Sequence, residues 1–561
     1  MIPGRYRRER RAAYLMIRRF MVHNIKIGLS VDKESGYDAA ALGRVIRMLS
    51  KNAFFSSCGK AELGIFKRSV DARDKNAIKL VYSVFFSYND ELNAANTVDI
   101  EKLERACKKD NIVITSDGDF RIPEYKGGMR PVVCGFGPCG MFAALILAKS
   151  GACPIVLERG ADADERVKTV ERYWQTGELS ESTNVQFGEG GAGTFSDGKL
   201  MTRINDPLCS YVLETLAKHG ADPDILVNAK PHVGTDKLRN IVKSIRKEII
   251  SLGGEVHFNC ELTCLAVSPS GNSVKIGING EAASLETDAL FLAVGHSARN
   301  TFSMLSRSGI EMCAKPFSVG VRIEHLQKDI DSALYGELAA HPALSRGEYA
   351  LSCRVGERAA YTFCMCPGGT VVASASEKET IVTNGMSYSA RDGENANSAV
   401  AVSVNVEDFG NNPFAAMEFQ ANIERTAYRA AGSDTSAPIQ TVGGLFGKTD
   451  GVPTNVMPTY TGKTKVTDIS TVFPSFVTET LKAGLRNFDG KIKGFACDSA
   501  VLTAPETRTS SPVKLPRDDD KRAVGHRCIY TCGEGAGYAG GITSAAVDGI
   551  RCALAFLGSN K

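Results

Sequence analysis

Cys364 and Cys366 stand one residue apart in Phe363-Cys364-Met365-Cys366-Pro367-Gly368-Gly369. Two thiols at that spacing are candidates for electron exchange or for lining a reactive pocket. On a strand their side chains would share one face. A disulfide there is strained, and buried thiols also serve as small apolar fillers, so packing is the competing reading. Arg508, in Thr507-Arg508-Thr509-Ser510, is the third candidate catalytic residue. A guanidinium in such a turn can clamp a carboxylate, or it can face solvent as part of a surface turn. No Ser/His/Asp or paired-carboxylate arrangement stands out. The eight histidines show no H-x-H or H-E-x-x-H pattern, so no metal site is expected.

Three glycine-bearing segments must position such groups. The first is Val132-Val133-Cys134-Gly135-Phe136-Gly137-Pro138-Cys139-Gly140, an apolar strand running into a helix. Glycines at 135, 137 and 140 permit a tight turn and close approach to a pyrophosphate, and the helix start offers free N–H groups and a positive dipole end. Glu158, with Arg159 beside it, closes the next strand eighteen residues past Gly140. A carboxylate there can accept from both hydroxyls of a ribose and repels a 2′-phosphate. This segment alone suits NAD as well as FAD.

The other two favour FAD. Ala289–Val294 is a short apolar run ending on Gly295 and His296, and the imidazole can donate to a nucleotide or substrate, or cap the turn. Cys528–Cys532 ends on Gly533 and Glu534, before Gly540-Gly541-Ile542-Thr543 and a last helix over Ser544–Leu557. The acid can hold a ribityl hydroxyl, and the helix start would face the ring where charge develops on reduction. Taken in order, the three resemble the FAD site of glutathione-reductase-type flavoproteins. Between them lies Phe187–Leu200, too glycine-rich for a helix or strand interior. Gly193, Thr194, Ser196, Gly198, Lys199 and Leu200 are its candidate cofactor contacts, with a flexible surface loop as the alternative.

At 561 residues, 43% hydrophobic and 23% charged, the chain has the composition of a globular enzyme of several domains. No apolar run approaches the length of a membrane span. Sixteen cysteines without a C-x-x-C read as reduced thiols of a cytoplasmic protein. Residues 1–20 hold seven arginines against Glu9, while net charge is only +4, so nucleic acid is not an expected partner. This stretch reads as leader upstream of a start at Met16 or Met21, with organelle targeting or a basic arm as alternatives. It is kept out of the fold.

Behind it, residues 21–116 alternate strand and helix patterns as a small α+β, ferredoxin-like module with a charged loop at Lys67–Arg73. Asp117–Gly128 reads as linker. The FAD-binding domain is expected over 129–305 and 501–561, with a substrate-facing α+β insert over 306–500. Val442-Gly443-Gly444-Leu445-Phe446-Gly447 does not follow a clear strand into a helix, and is rejected as an NAD(P)H site. NAD(P)H would then dock transiently in the open cleft, or electrons would come from another donor or the substrate.

From about residue 22 onward the chain resembles a widespread, uncharacterised group of bacterial FAD-dependent dehydrogenases. The stretches that carry the resemblance are Lys67–Arg73, Gly188–Leu200, Phe363–Gly369, Asn384-Gly385-Met386-Ser387, and Glu506–Val513 with Pro516-Arg517-Asp518. It implies a two-domain flavoprotein fold behind an N-terminal module and supplies no substrate. The expected function is hydride transfer between flavin N5 and an organic small molecule. Three alternatives stand: an isoprenoid or lipid double-bond reductase, a non-catalytic binding protein on the same scaffold, and a nucleic-acid-modifying flavoenzyme. Oligomeric state is not legible.

Overall fold

The computed structural model describes residues 19–29, 36–57, 61–88, 100–115, 120–280 and 283–559. It divides into two units with separate cores. The arginine-rich stretch before Arg19 lies outside the described residues.

The first unit takes residues up to Arg121 together with Pro223–Pro231 and Leu334–Ser345. Its elements are β1 (Arg19–Gly28), α1 (Tyr37–Lys51), β2 (Ala61–Asp71), β3 (Lys79–Tyr88), α2 (Ile100–Lys109) and β4 (Ile112–Thr115). The strands form an antiparallel sheet in the order β2-β3-β1-β4. Helix α1 buries Ala41, Val45 and Leu49, one apolar stripe at four-residue spacing. The stripe packs with Val22, Tyr82, Val84 and Phe86.

Two expectations change here. Strand β1 begins at Arg19, and the buried Phe20 stacks on Phe86 with ring centroids 5.0 Å apart, so residues 19 and 20 belong to the fold. Strand β2 runs through Lys67–Asp71, so the expected charged loop is mostly strand. Its edge is covered: the Arg68 N–H donates to the Val227 carbonyl at 2.6 Å, and the Arg68 carbonyl accepts from Ala229 at 2.8 Å. The Arg68 guanidinium then reaches Asp224 at 2.7 Å and Asn228 at 3.0 Å.

The second unit opens with β5 (Val132–Cys134), α3 (Pro138–Lys149), β6 (Ile155–Leu157), α4 (Ala163–Thr176), α5 (Thr235–Ser251), β7 (Glu255–His257) and β8 (Leu290–Leu292). Helix α3 is apolar all round and buried from Cys139 to Ala148, as a core helix must be. The chain goes on through β9 (Phe317–Leu326), β10 (Arg358–Cys366), β11 (Asn395–Val404), α6 (Pro413–Ala430), β12 (Val501–Glu506), β13 (Ile529–Thr531) and α7 (Ile542–Ser559). A five-stranded parallel sheet has the order β13-β8-β5-β6-β7. Val132, Leu290, Leu292 and Ile529 supply its core, so segments some four hundred residues apart in sequence become neighbours.

A seven-stranded sheet has the order Ser352–Val355, β10, β11, β9, β12, Ala437–Thr441, Thr464–Val466. Strand β12 pairs with β9 on one side and Ala437–Thr441 on the other. The chain therefore leaves this sheet after Glu506 rather than at residue 501. Strand Ala437–Thr441 also leads directly into the one-turn helix Val442–Leu445, capped by the Thr441 hydroxyl, so the glycine run there does follow a strand. It is a capped single turn, with Gly444 closely packed on Gly451.

Candidate active site

The turn after β5 is forced by contact. A Cβ on Gly135 would lie 2.3 Å from the Ala293 carbonyl oxygen, and one on Gly140 would lie 1.9 Å from that of Gly135. Gly135 also has φ of 100°, which a side chain resists. Pro138 then opens α3, where its missing N–H costs nothing.

Glu158 follows β6 and is 5% exposed. Its carboxylate accepts from the backbone N–H groups of Phe136 at 2.8 Å and of Gly160 and Gly188 at 2.9 Å each. The acid expected to hold a ribose thus first ties three loops together: Oε1 accepts from Gly160 and Gly188, and only Oε2 keeps a further lone pair. Arg159 beside it pairs with Glu261, donates to Asn300 at 2.9 Å and lies over the Phe187 ring.

The glycine-rich loop is ordered by a residue the motif does not contain. Arg166, on α4, has no exposed surface. Its guanidinium donates to the carbonyls of Asn184 (2.9 Å), Val185 (2.9 Å), Glu189 (2.7 Å) and Gly188 (3.3 Å), and it lies over Phe195. Burial lowers its pKa to about 10. Farther on, Asp197 pairs with Arg391, and Lys199 lies 3.6 Å from Glu348.

At the C-terminal end the Gly533 N–H donates to Asp548 of α7 at 2.7 Å, and Arg517 holds the same carboxylate through two nitrogens. Glu534 accepts from the Gly541 N–H just before α7, and burial pushes its carboxyl up to about 7. The Thr543 hydroxyl donates to the Leu200 carbonyl at 2.7 Å, which closes the loop against the helix start.

These parts line one cleft of about 390 Å³, within the usual range for a small-molecule site. Gly135, Gly137, Pro138, Cys139, Glu158, Arg159, Gly193, Ser196, Gly198 and Lys199 line it, as do Gly295, His296, Glu534, Gly541 and Ile542. Gly140, Thr194, Leu200 and Gly533 do not line it. They hold its walls in place: the Thr194 hydroxyl, for example, donates to the Glu189 carbonyl at 3.2 Å. Past Lys199 the cleft continues to Cys364, Asn384, Glu506 and Arg508.

The thiols are not arranged by strand alternation. Cys364 has φ of 45°, and the pairing of β10 with β11 slips between Phe363 and Cys366. This bulge turns Cys364 into the cleft, while Cys366 is fully buried and donates to the Cys364 carbonyl at 3.3 Å. The hydrogen bond from Cys366, assisted by Arg322 and Lys199, brings the Cys364 thiol down to about 6.

Arg508 is not in a surface turn, and one side of its guanidinium is already engaged. It is 8% exposed, and its Nε and Nη2 bind Glu424 of α6 at 2.7 and 3.0 Å. Arg299 holds the other side of that carboxylate at 3.0 and 3.1 Å. Among the described residues the Nη1 of Arg508 has no hydrogen-bond partner. His296 shares a 2.8 Å hydrogen bond with the Ser297 hydroxyl, and burial with Arg508 nearby lowers it to about 4, so it is neutral at pH 7.

Glu506 escaped the sequence reading although it opens a stretch that carried the resemblance. It ends β12, is 3% exposed, and is pushed to about 7 by burial against the pull of Arg322. Among the described residues no group of three or more His, Cys, Asp or Glu is placed to hold a metal ion, and no helix is long and apolar enough to cross a membrane.

Residues 316–509 match a family described as "FAD-dependent protein, C-terminal domain-like". A Clostridium beijerinckii protein described as uncharacterized is 45% identical over 543 residues, covering 95% of this chain and 97% of that one. Among solved structures, the flavoprotein/dehydrogenase of Cytophaga hutchinsonii is 12% identical with a TM-score of 0.34, covering 77% of this chain and 79% of that one. CtdE in complex with FAD is 10% identical with a TM-score of 0.30, covering 77% and 84%. CmlS, a flavin-dependent halogenase, is 12% identical with a TM-score of 0.34, covering 78% and 58%. Likenesses this loose carry no function. The family match and the glycine-walled cleft agree on FAD as the cofactor.

Proposed function

The chain belongs to the family of the Clostridium beijerinckii protein, and from that premise we propose that it is an FAD-dependent oxidoreductase of glutathione-reductase-type fold. The observation that carries the reading is the single cleft running from the Gly135–Gly140 turn to Cys364 and Glu506, with nucleotide-type loops at one end and titratable groups at the other. When bound, FAD supplies hydride chemistry at its N5, which a protein directs by placement and electrostatics.

The N-terminus of α3 would hold the pyrophosphate, and Glu158 the ribose through the remaining lone pair of its Oε2. Glu534 and the start of α7 would hold the ribityl and ring end. Buried walls exclude water from the far end, and the neutral His296 there donates or accepts without adding charge. The cluster of Lys199, Glu506 and Arg508 is too polar to favour an isoprenoid substrate. The parallel sheet, with every nucleotide loop retained, favours an enzyme over a binding scaffold.

The purified protein is expected to carry a yellow chromophore released as FAD on denaturation, and anaerobic NADH or NADPH titration tests the donor. Bleaching makes this a nicotinamide-driven reductase. A bound flavin indifferent to both identifies a substrate-oxidising dehydrogenase or another donor. No FAD binding on reconstitution overturns the reading. Gly140→Val adds atoms where even a Cβ lies 1.9 Å from a carbonyl oxygen. It should weaken FAD retention by at least about tenfold, read by equilibrium dialysis, since a displaced helix start loses aligned N–H donors.

A further inference from the structure

Arg322 on β9 has no exposed surface and is boxed in: a Cβ on Gly385 would lie 2.7 Å from its Cζ. Its Nε reaches the Asn397 side-chain oxygen at 3.2 Å and lies 3.7 Å from the Glu506 carboxylate. Its Nη2 and Nη1 donate to the Cys364 carbonyl at 2.7 and 3.3 Å. One immobile cation thus lies by the Glu506 carboxylate and holds the backbone of Cys364, whose thiol it also attracts, and both residues line the cleft. Of the other charges nearby, Lys199 lies by Glu348, Asp197 is bound by Arg391, and Glu324, which also feels Arg322, accepts from Asn395 and the Thr459 hydroxyl while burial raises its carboxyl. Glu506 has one neutral neighbour, the Thr383 hydroxyl at 3.4 Å, and Cys364 has the Cys366 thiol.

A single buried cation balances one negative charge, and a second in the same low-dielectric site is opposed by the first. On the oxidoreductase reading above, we propose that Cys364 and Glu506 form a proton-sharing pair over Arg322, carrying one proton between them at neutral pH, and that this pair exchanges the proton accompanying hydride transfer. For a substrate H–C–X–H, where X is oxygen or nitrogen, oxidation breaks the C–H and X–H bonds and forms C=X. The hydride with its electron pair leaves to FAD, and the proton goes to the ionised member of the pair. In the reductive direction the pair returns that proton to X. The neutral range in which both groups titrate fits this role.

Thiolate, not thiol, is alkylated, so iodoacetamide reports the pair without any turnover. Cys364 modification would be followed by peptide mass spectrometry from pH 5 to 9.5, with and without FAD. In the wild-type protein the FAD-free profile should be broad, with alkylation beginning below pH 7. Glu506→Gln removes the competitor for Arg322, so the profile should sharpen and move down by about half a pH unit, a roughly threefold faster reaction at pH 5, below the midpoint. Glu506→Asp should keep the wild-type breadth. Coincident wild-type and Glu506→Gln profiles overturn the pair. Ordinary alkylation near pH 8.5, or none, in the wild-type protein does so without any variant. Because no redox reaction is read, failure of the hydride assignment leaves this result standing, and failure of the pair leaves the FAD reading standing.

Discussion

Glu424→Ala is expected to cost about 3–5 kcal/mol of stability, because it strands two buried guanidiniums rather than removing one neutral contact. Glu424 has no exposed surface and accepts from Arg299, Arg508 and the Thr507 hydroxyl, the last at 2.7 Å. Among the described residues Glu377, 2.7 Å from Arg299 and partly exposed, would remain to balance the two cations. At about 1 °C per kcal/mol for a unit this large, the melting temperature should fall by roughly 3–6 °C. A shift under about 2 °C would mean that water or rearrangement replaces the carboxylate.

The same cluster sets an acid limit. Arg299 and Arg508 overcome the burial penalty and hold the Glu424 carboxyl at about 2, below its ordinary 4.5. A depressed carboxyl stabilises the fold fully above its unfolded pKa and loses that contribution as pH falls toward its folded one. The displacement corresponds to the order of 3 kcal/mol for this wholly buried group. Wild-type melting temperature should therefore decline between about pH 4.5 and 2 more steeply than that of Glu424→Gln. Parallel declines would show that other carboxylates dominate acid unfolding.

What could be read from the residues alone divides by the range of the forces involved. The Gly135–Gly140 turn was legible because its reasons are local: a tight turn, a helix start, and an acid one strand later. Glu158 was legible as a position, but its three backbone donors come from segments that only the fold assembles. Cys364 and Cys366 were singled out by spacing, yet the alternation that would pair them is broken by a single positive φ. Nothing in Phe-Cys-Met-Cys announces that bulge. Glu506 looked like any polar residue before a turn, and its burial follows from β12 entering the centre of a sheet whose neighbours lie far away in sequence. Arg508 stands out by type, but its burial does not, because its partner Glu424 sits on a helix that no motif marks.

Arg166→Met should disable the cofactor site from a position that does not line the cleft. The substitution keeps a long apolar stem and removes the planar fork that serves four carbonyls between Asn184 and Glu189. The Gly188 and Glu189 carbonyls keep donors in the Gly191 N–H and the Thr194 hydroxyl, but the Asn184 and Val185 carbonyls lose theirs at about 1–3 kcal/mol each, so that segment will exchange its buried arrangement for a hydrated one. Gly188, whose N–H binds Glu158, moves with it, and the cofactor wall loses two of its supports together. FAD affinity should drop by about a hundredfold or more while far-UV circular dichroism is nearly kept. Arg166→Lys should fare little better, since one ammonium with three donors cannot reach four acceptors spread across the loop. Hydrogen exchange resolves the cause: protection should be lost across 184–195 and kept in α3. Unchanged protection there, with FAD still lost, would mean that Arg166 acts through its charge near Glu158 and not by holding the loop.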